Sequence, residues 1–398
     1  MRFSGFDDEW KTYKLKDLLH NKSSSISINQ LDDNVGNYPL YGASGFLKCI
    51  DFYEMDSDYI SIVKDGSGVG NISFHEKNTS VVNTSQYILP KENLNIHFIF
   101  YLLQTINLNK YKTGSTIPHI YFKDYSIEKV KIPKYDEQKK IGILLKNLDA
   151  KIEILDNKLQ MCQNFKKYLM QQIFTQKLRF ADDENWVTVT IANIFDNITD
   201  YVAAGSFADI RKNVTYLKDP DYAQLIRTAD LKSNFTNGDF VYVDKHAFEY
   251  LWRVNLDEPC IVLPNIGNIG EVYYINPKEL PYSNNALAPN AILLKSNDNI
   301  KFKYYLLESP YFKNQLDIIN EAGGRGKFNK TNLKKIKIKV PNNDLEKEKI
   351  AKCLSNVDNK LKLFNIQLIE MQEFKKGLLQ QMFVVQLILS LLQNKKHI

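Results

Sequence analysis

Three kinds of pattern in this chain could carry chemistry: two glycine-rich loops, a scatter of histidines and cysteines, and clusters of lysine. GSGVG at residues 66–70 resembles a dinucleotide fingerprint, but strand-like NISF follows it where a helix should start, so a nucleotide-cradling role is not expected. GGRGK at residues 323–327 lacks the phosphate-loop spacing, because Glu stands at position 321 and Phe328 replaces the required Ser or Thr. An amino-methyltransferase needs an Asn/Asp-Pro-Pro-aromatic signature, and the nearest stretch, Asn276-Pro277-Lys278, does not supply it. His75, His97, His119 and His246 show no metal-ligand spacing, and Cys49, Cys162, Cys260 and Cys353 form no CxxC pair. No catalytic residue, no metal ligand and no cofactor is assigned to this chain, and the reading is a binding protein rather than an enzyme.

The lysines are more informative. Net charge over 398 residues is only +6, too mild to prove a nucleic-acid partner. Yet Lys327, Lys330, Lys334, Lys335, Lys337 and Lys339 crowd one segment, and Lys123, Lys129, Lys131 and Lys134 crowd an equivalent one. Such clusters are either solvated faces or phosphate contacts, and recurrence is the argument for phosphate. With 44% hydrophobic residues the chain can bury two cores of ordinary size. The N-terminus has no basic-then-apolar signal pattern, and VVQLILSLL at residues 384–392 is too short to span a bilayer, so no membrane partner and a reduced, cytoplasmic setting are expected.

The elements that must position these residues come in two copies. DEQKKIGILLKNLDAKIEILDNKLQMCQNFKKYLMQQIF (residues 136–174) returns at residues 344–383 as DLEKEKIAKCLSNVDNKLKLFNIQLIEMQEFKKGLLQQMF. From Ile141 the copies align without a gap at an offset of 350 − 141 = 209, with Asn147/Asn356, Asp149/Asp358, Lys151/Lys360, Leu159/Leu368 and Gln163/Gln372 identical. Apolar residues recur at steps of four and three: Ile141, Leu145, Leu148, Ile152, Leu155, Leu159, Cys162, Leu169 and Ile173. The second copy gives Ile350, Leu354, Val357, Leu361, Phe364, Leu368, Met371, Leu378 and Met382, and Val385, Leu389 and Leu392 continue it. This is a heptad seam, which predicts two long helices with coiled-coil faces. Both seams lapse at one equivalent place, Lys166 and Lys375, where a polar residue either fixes the register or snorkels at the seam edge.

The duplication reaches into the segments before each helix. Both open alike, with Arg2-Phe3 and Asp7-Asp8-Glu9-Trp10 in the first and Arg179-Phe180, Asp182-Asp183-Glu184 and Trp186 in the second. YISIVKDGSGVGNISF (residues 59–74) parallels PCIVLPNIGNIGEVYY (residues 259–274), and each segment closes on a basic alternating strand, VKIP at 130–133 and IKVP at 338–341. Residues 21–37 carry loop signals, and residues 199–253 form a longer, polar insert in the second half. Between the anchors the halves diverge, as expected of two domains that dock alike and recognise different things. Two such rods packed antiparallel would make one chain imitate a homodimer. About 40 residues at 1.5 Å each give a rod of roughly 60 Å, and two-fold protein symmetry maps onto inverted half-sites. The physical expectation is a bipartite, asymmetric DNA site with an unread spacer.

The domain-plus-helix duplication, the FKKxLxQQxF helix ends, YPLYGASGFLK at residues 38–48 and the G–x–G loops together resemble the specificity subunit of type I restriction-modification enzymes, over the whole chain up to Phe383. The fold this resemblance implies is α+β: two homologous α/β target-recognition domains separated by two long helices forming an antiparallel coiled coil, a pseudo-two-fold internal repeat. Its segments would be a first recognition domain at 1–135, a first spacer helix at 136–180, a second recognition domain at 181–343 and a second spacer helix at 344–398. The tail LILSLLQNKKHI is not typical of the family. The resemblance also implies double-stranded DNA as a partner, and two modification subunits that use S-adenosylmethionine to methylate adenine N6. Restriction subunits driven by ATP and Mg would join where present.

Polar loop residues are the candidate DNA contacts: Tyr41, Ser44, Lys64, Ser67, Lys112, Ser115 and His119 in the first domain, and Arg211, Arg227, Lys245, Asn265, Asn268, Arg325 and Lys327 in the second. Arg can read guanine bidentately and Asn can read adenine, while each is also able to serve as a phosphate contact or a solvated residue. The alternative reading is a coiled-coil scaffold with no DNA role, which the modest net charge favours.

Overall fold

The computed structural model describes residues 2–31, 33–181, 185–323 and 326–384. The chain divides into two compact units, residues 1–158 with 364–398, and residues 159–363. The Asp182–Glu184 copy of the opening motif, Arg325, and the seam continuation at Val385, Leu389 and Leu392 lie outside the described residues.

The two units are built on one plan. In the first, a four-stranded antiparallel sheet runs in the order Leu19–Ser23, Ser85–Pro90, Tyr59–Val63, Ile72–His75. A three-stranded sheet orders Gly45–Ile50, Tyr38–Gly42 and Ser80–Val81, and Lys11–Lys14 pairs with Lys129–Ile132. The second unit repeats this with Asn197–Asp200, Ala291–Lys295, Cys260–Pro264 and Tyr273–Ile275, then Tyr242–Val243, Ala223–Ile226 and Asn285–Leu287, then Trp186–Thr190 with Lys337–Pro341. The strand Leu19–Ser23 falls partly in a stretch read from the sequence as loop. Its residues 20–23 are all exposed, so no alternation marks it, and it is held by backbone pairing to Ser85–Pro90, by the buried Leu19 and by Lys22 over the Tyr87 ring. The closing strands alternate as expected: Val130 and Ile132, and Ile338 and Val340, are buried, whereas Lys129, Lys337 and Lys339 face outward.

The long helices span Tyr135–Phe174 and Asp344–Leu379. Acidic residues in each first turn, Asp136 and Glu137, then Asp344 and Glu346, oppose the positive end of the helix dipole. Gly142 lets the first helix approach closely, because a Cβ there would lie 2.6 Å from Asn95 Oδ1, the cap of the helix Ile96–Gln104. In the first unit Ile141 and Leu145 share a core with Trp10, Phe98, Leu378, Met382 and Phe383. In the second unit Ile350, Leu354 and Val357 share one with Leu169, Ile173, Phe174, Trp186 and Phe302. Of the remaining seam residues, Leu155 and Leu368 are buried, and Leu148, Ile152, Leu159, Leu361 and Phe364 are half-buried.

Within each unit the helix segments run in opposite directions. In the first, Trp10 bonds Glu137 near the helix start and packs against Phe383, whereas Asp149 pairs with Lys375. The register advances on one helix as it recedes on the other. In the second, Arg179 links to Glu346 and Lys166 to Asp358, in the same opposed sense. The helix residues of the lysine contacts correspond at the offset of 209, Asp149 to Asp358 and Lys166 to Lys375, and the tyrosines that join them at 305 − 101 = 204. Tyr101 donates to Asp149 (2.6 Å), whose other oxygen takes Lys375 (2.5 Å). Tyr305 donates to Asp358 (2.7 Å), which takes Lys166 (2.8 Å). The lysines that interrupt the seams are therefore ion-paired to the facing helix segment.

A second duplicated clasp explains the repeated openings. Arg2 grips Glu137 through two nitrogens at 2.7 and 3.0 Å, and Arg179 grips Glu346 at 2.8 and 3.0 Å. Burial would raise the Glu346 carboxyl, but Arg179 and the Phe180 N–H outweigh it and hold the group below the ordinary glutamate range.

Candidate nucleic-acid interface

At one end of the first unit three loops are tied together by their backbones. The glycine loop joining Tyr59–Val63 to Ile72–His75 turns through Gly66, Gly68 and Gly70 at φ +80°, +85° and +88°, which a side chain would strain. Gly66 N–H donates to Pro118 (3.0 Å), and Ile120 N–H to Lys64 (2.8 Å), fastening the loop to the return segment. That segment is a narrow hairpin in which Thr113 and His119 exchange backbone bonds at 2.9 and 2.7 Å. His119 Nδ1 meets Asp65 at 2.7 Å. The tip of the hairpin Tyr38–Gly42/Gly45–Ile50 completes the group, with Ala43 Cβ 3.6 Å from where a Cβ on Gly68 would stand.

All seven first-domain candidates thus gather on three adjoining loops. Ser44, Ser67, Lys112 and Ser115 are exposed, and Tyr41, Lys64 and His119 are half-buried. The Tyr41 ring lies 4.6 Å from that of His75, which is buried, bonded to Ser61 at 2.9 Å, and pushed down by burial to about 4, hence neutral. Exposed apolar residues that the sequence did not single out, Phe46, Ile117 and Tyr121, stand on the same loops. Basic, hydroxyl and aromatic side chains interleaved on loops at the end of a sheet suit a nucleic-acid groove.

In the second unit the structure brings together four of the six described candidates. Asn265 exchanges backbone and side-chain bonds with Phe328, at 3.2 Å each, and Ile266 bridges to Lys327. Asn268 lies on the same glycine loop, and Arg211 shares a cavity with Asn265. Arg227 and Lys245 do not join them. Arg227 is held by both oxygens of the buried Asp230 (2.7 and 3.1 Å), and Lys245 stands over the Tyr222 ring on the helix Lys245–Tyr250. Of the lysine cluster, Lys330 is paired with Asp200 at 2.8 Å.

The chain matches the type I restriction modification DNA specificity domain over residues 7–162 and again over 183–371. It belongs to that family. A specificity-domain relative, the type I restriction enzyme MjaVIII specificity subunit of Methanocaldococcus jannaschii, is 21% identical over 94% of this chain and 91% of its own. The S subunit of a type I restriction-modification system from M. genitalium shares the fold with a TM-score of 0.66 at 17% identity, covering 96% of this chain and 97% of that one. A chain from a structure addressing complex assembly and conformational transition of the type I R-M system gives 0.52 at 12% identity, covering 95% and 98%. The two specificity domains and their linking long helices agree with the duplication read from the sequence.

Each unit of this specificity-domain protein also leaves apolar side chains exposed on its helix segments. In the first they include Ile154, Ile366 and Phe374, and in the second Met161, Phe165 and Leu363. Phe165/Phe374 and Ile154/Leu363 are equivalent at the offset of 209. Among the described residues no helix is long and apolar enough to cross a membrane.

Proposed function

We propose that this chain reads a bipartite, asymmetric DNA target for a type I restriction-modification complex in the cytoplasm, and carries no catalysis of its own. The observation that carries this reading is the duplicated loop cluster. One scaffold recurs twice, while the side chains on its loops differ: Ser44, Ser67, Lys112 and Ser115 on one, Asn265, Asn268, Arg211 and Lys327 on the other. Equal scaffolds with unequal readers call for unequal half-sites, and the long helices would set the unread spacer between them.

The exposed apolar residues on the helix segments suit docking of two modification subunits, one for each copy of the pattern. Those subunits would bring S-adenosylmethionine and methylate adenine N6, and restriction subunits, with ATP and Mg, would add cleavage. Mapping N6-methyladenine genome-wide in cells with and without this chain tests the reading. The expected result is one split, non-palindromic motif that loses methylation when the chain is removed. Unchanged methylation alongside failure to copurify two methyltransferase subunits per chain would leave a scaffold role instead.

A further inference from the structure

We propose that the second domain holds one nucleotide of its DNA target, swung out of the duplex, in the cavity beside Asn265. The proposal rests on the DNA-reading role above and deepens it. The cavity measures about 620 Å³, within the range of sites that enclose a small ligand. Its walls are mainly aromatic and aliphatic, and two of its rings stand at the rim, Phe207 at 71% and Tyr216 at 52% exposure. Tyr216 donates its hydroxyl to Tyr201 at 3.2 Å, and Tyr201 itself is buried, so one wall is a preset aromatic surface. Every nucleobase has a flat π-face that stacks on such rings.

The charges point the same way. Two charged residues line the cavity, Asp200 and Arg211. Asp200 is already neutralised by Lys330 at 2.8 Å, whereas the exposed Arg211 meets no hydrogen-bond or ion-pair partner among the described residues. The charge left over is positive, which suits the phosphate next to an extruded base. An apolar protein segment would gain nothing from it. The mouth also borders the candidate interface, because Ile266 lines the cavity and bridges to Lys327. A strand followed by the glycine loop therefore passes the opening.

Extrusion costs less for a base that has no partner, which gives the test. In the assembled complex on its mapped target, each position of the second half-site is placed in turn opposite an abasic site, and binding is measured by anisotropy. One position should bind about tenfold tighter when unpaired. That gain should vanish in Phe207→Ala and fall severalfold in Arg211→Ala, both exposed positions whose replacement removes no buried packing. 2-Aminopurine at the same position should brighten on binding to the unchanged chain and stay dim with Phe207→Ala, while the methylated adenine behaves alike in both. The proposal is overturned if no position tightens, or if the gain survives both replacements. Loss of methyltransferase subunits from the Phe207→Ala complex would instead make the cavity a protein-docking groove, and also overturn it. Discrimination of the first half-site, read in the same assay, keeps the proposal separate from the chain's general role: its loss would count against that role, not against the cavity.

Discussion

Replacing Lys166 by Met separates a register-fixing ion pair from a snorkelling lysine. The Lys166 ammonium lies 2.8 Å from Asp358 and 3.0 Å from Glu308, with 17% of the side chain exposed. Burial alone would pull this ammonium down, but the two carboxylates outweigh it and hold the group above the ordinary lysine value. At an effective dielectric of about 20, a charge pair near 3 Å attracts by roughly 5 kcal/mol. Desolvation offsets several kcal/mol of that for each ion. Removing the lysine also leaves Asp358 and Glu308 facing each other, so the net cost should be on the order of 2 kcal/mol. Lys375 pairs with Asp149, which is 37% exposed, so Lys375→Met should cost about 1 kcal/mol. The chain holds two compact units and no single midpoint describes it, so the assay is hydrogen exchange followed peptide by peptide. Lys166→Met should speed exchange about 30-fold across residues 159–174 and 344–363, against roughly fivefold for Lys375→Met in residues 135–158 and 364–383. Adding Asp358→Asn and Glu308→Gln to Lys166→Met should restore most of the protection. Equal effects of the two lysine replacements, or none from either, would refute the reasoning and leave both lysines as solvated seam edges.

Three further outcomes are expected. Glu346→Gln should destabilise the second unit by about 2 kcal/mol at neutral pH, because it breaks a charge-assisted pair with Arg179. The folded Glu346 carboxyl is depressed, so its contribution is present above the unfolded value near 4.5 and is lost as pH falls below it; the Gln protein should lack that part of the acid dependence when hydrogen exchange across the second unit is followed as a function of pH. His75 titrates near 6.5 unfolded and about 4 folded, so the first unit should lose roughly 3 kcal/mol as pH falls from about 6.5 to about 4, and His75→Gln should flatten that slope. Lys112→Ala should weaken DNA binding by the complex at every sequence alike and lower the salt slope by about 1, whereas an effect confined to certain first-half-site bases would make it a base reader.

The sequence by itself determined the duplication, the two long helices and the family, because those rest on local signals. A heptad period, a repeat whose two copies align without a gap from Ile141 onward, and a glycine loop between two apolar runs are each legible from the order of residues. The alternation of Val130, Ile132, Ile338 and Val340 against outward lysines could be read the same way. What the seam lysines do was not legible. Their carboxylate partners sit 192 and 226 residues away (358 − 166 and 375 − 149), and only antiparallel packing within each unit brings them to contact distance. The Asp149/Asp358 identity was visible, but it had no partner until the helices were packed. Composition likewise could not tell Arg227 from Arg211, since both are arginines in one polar insert. Asp230, three residues on at the start of the helix Thr228–Lys232, takes the first, a local pairing, whereas only the fold shows the second left open beside the cavity. Pairwise electrostatics act over a few ångströms, so the pairing of the seam lysines and the opening left at Arg211 are decided by tertiary neighbours rather than by the order of residues.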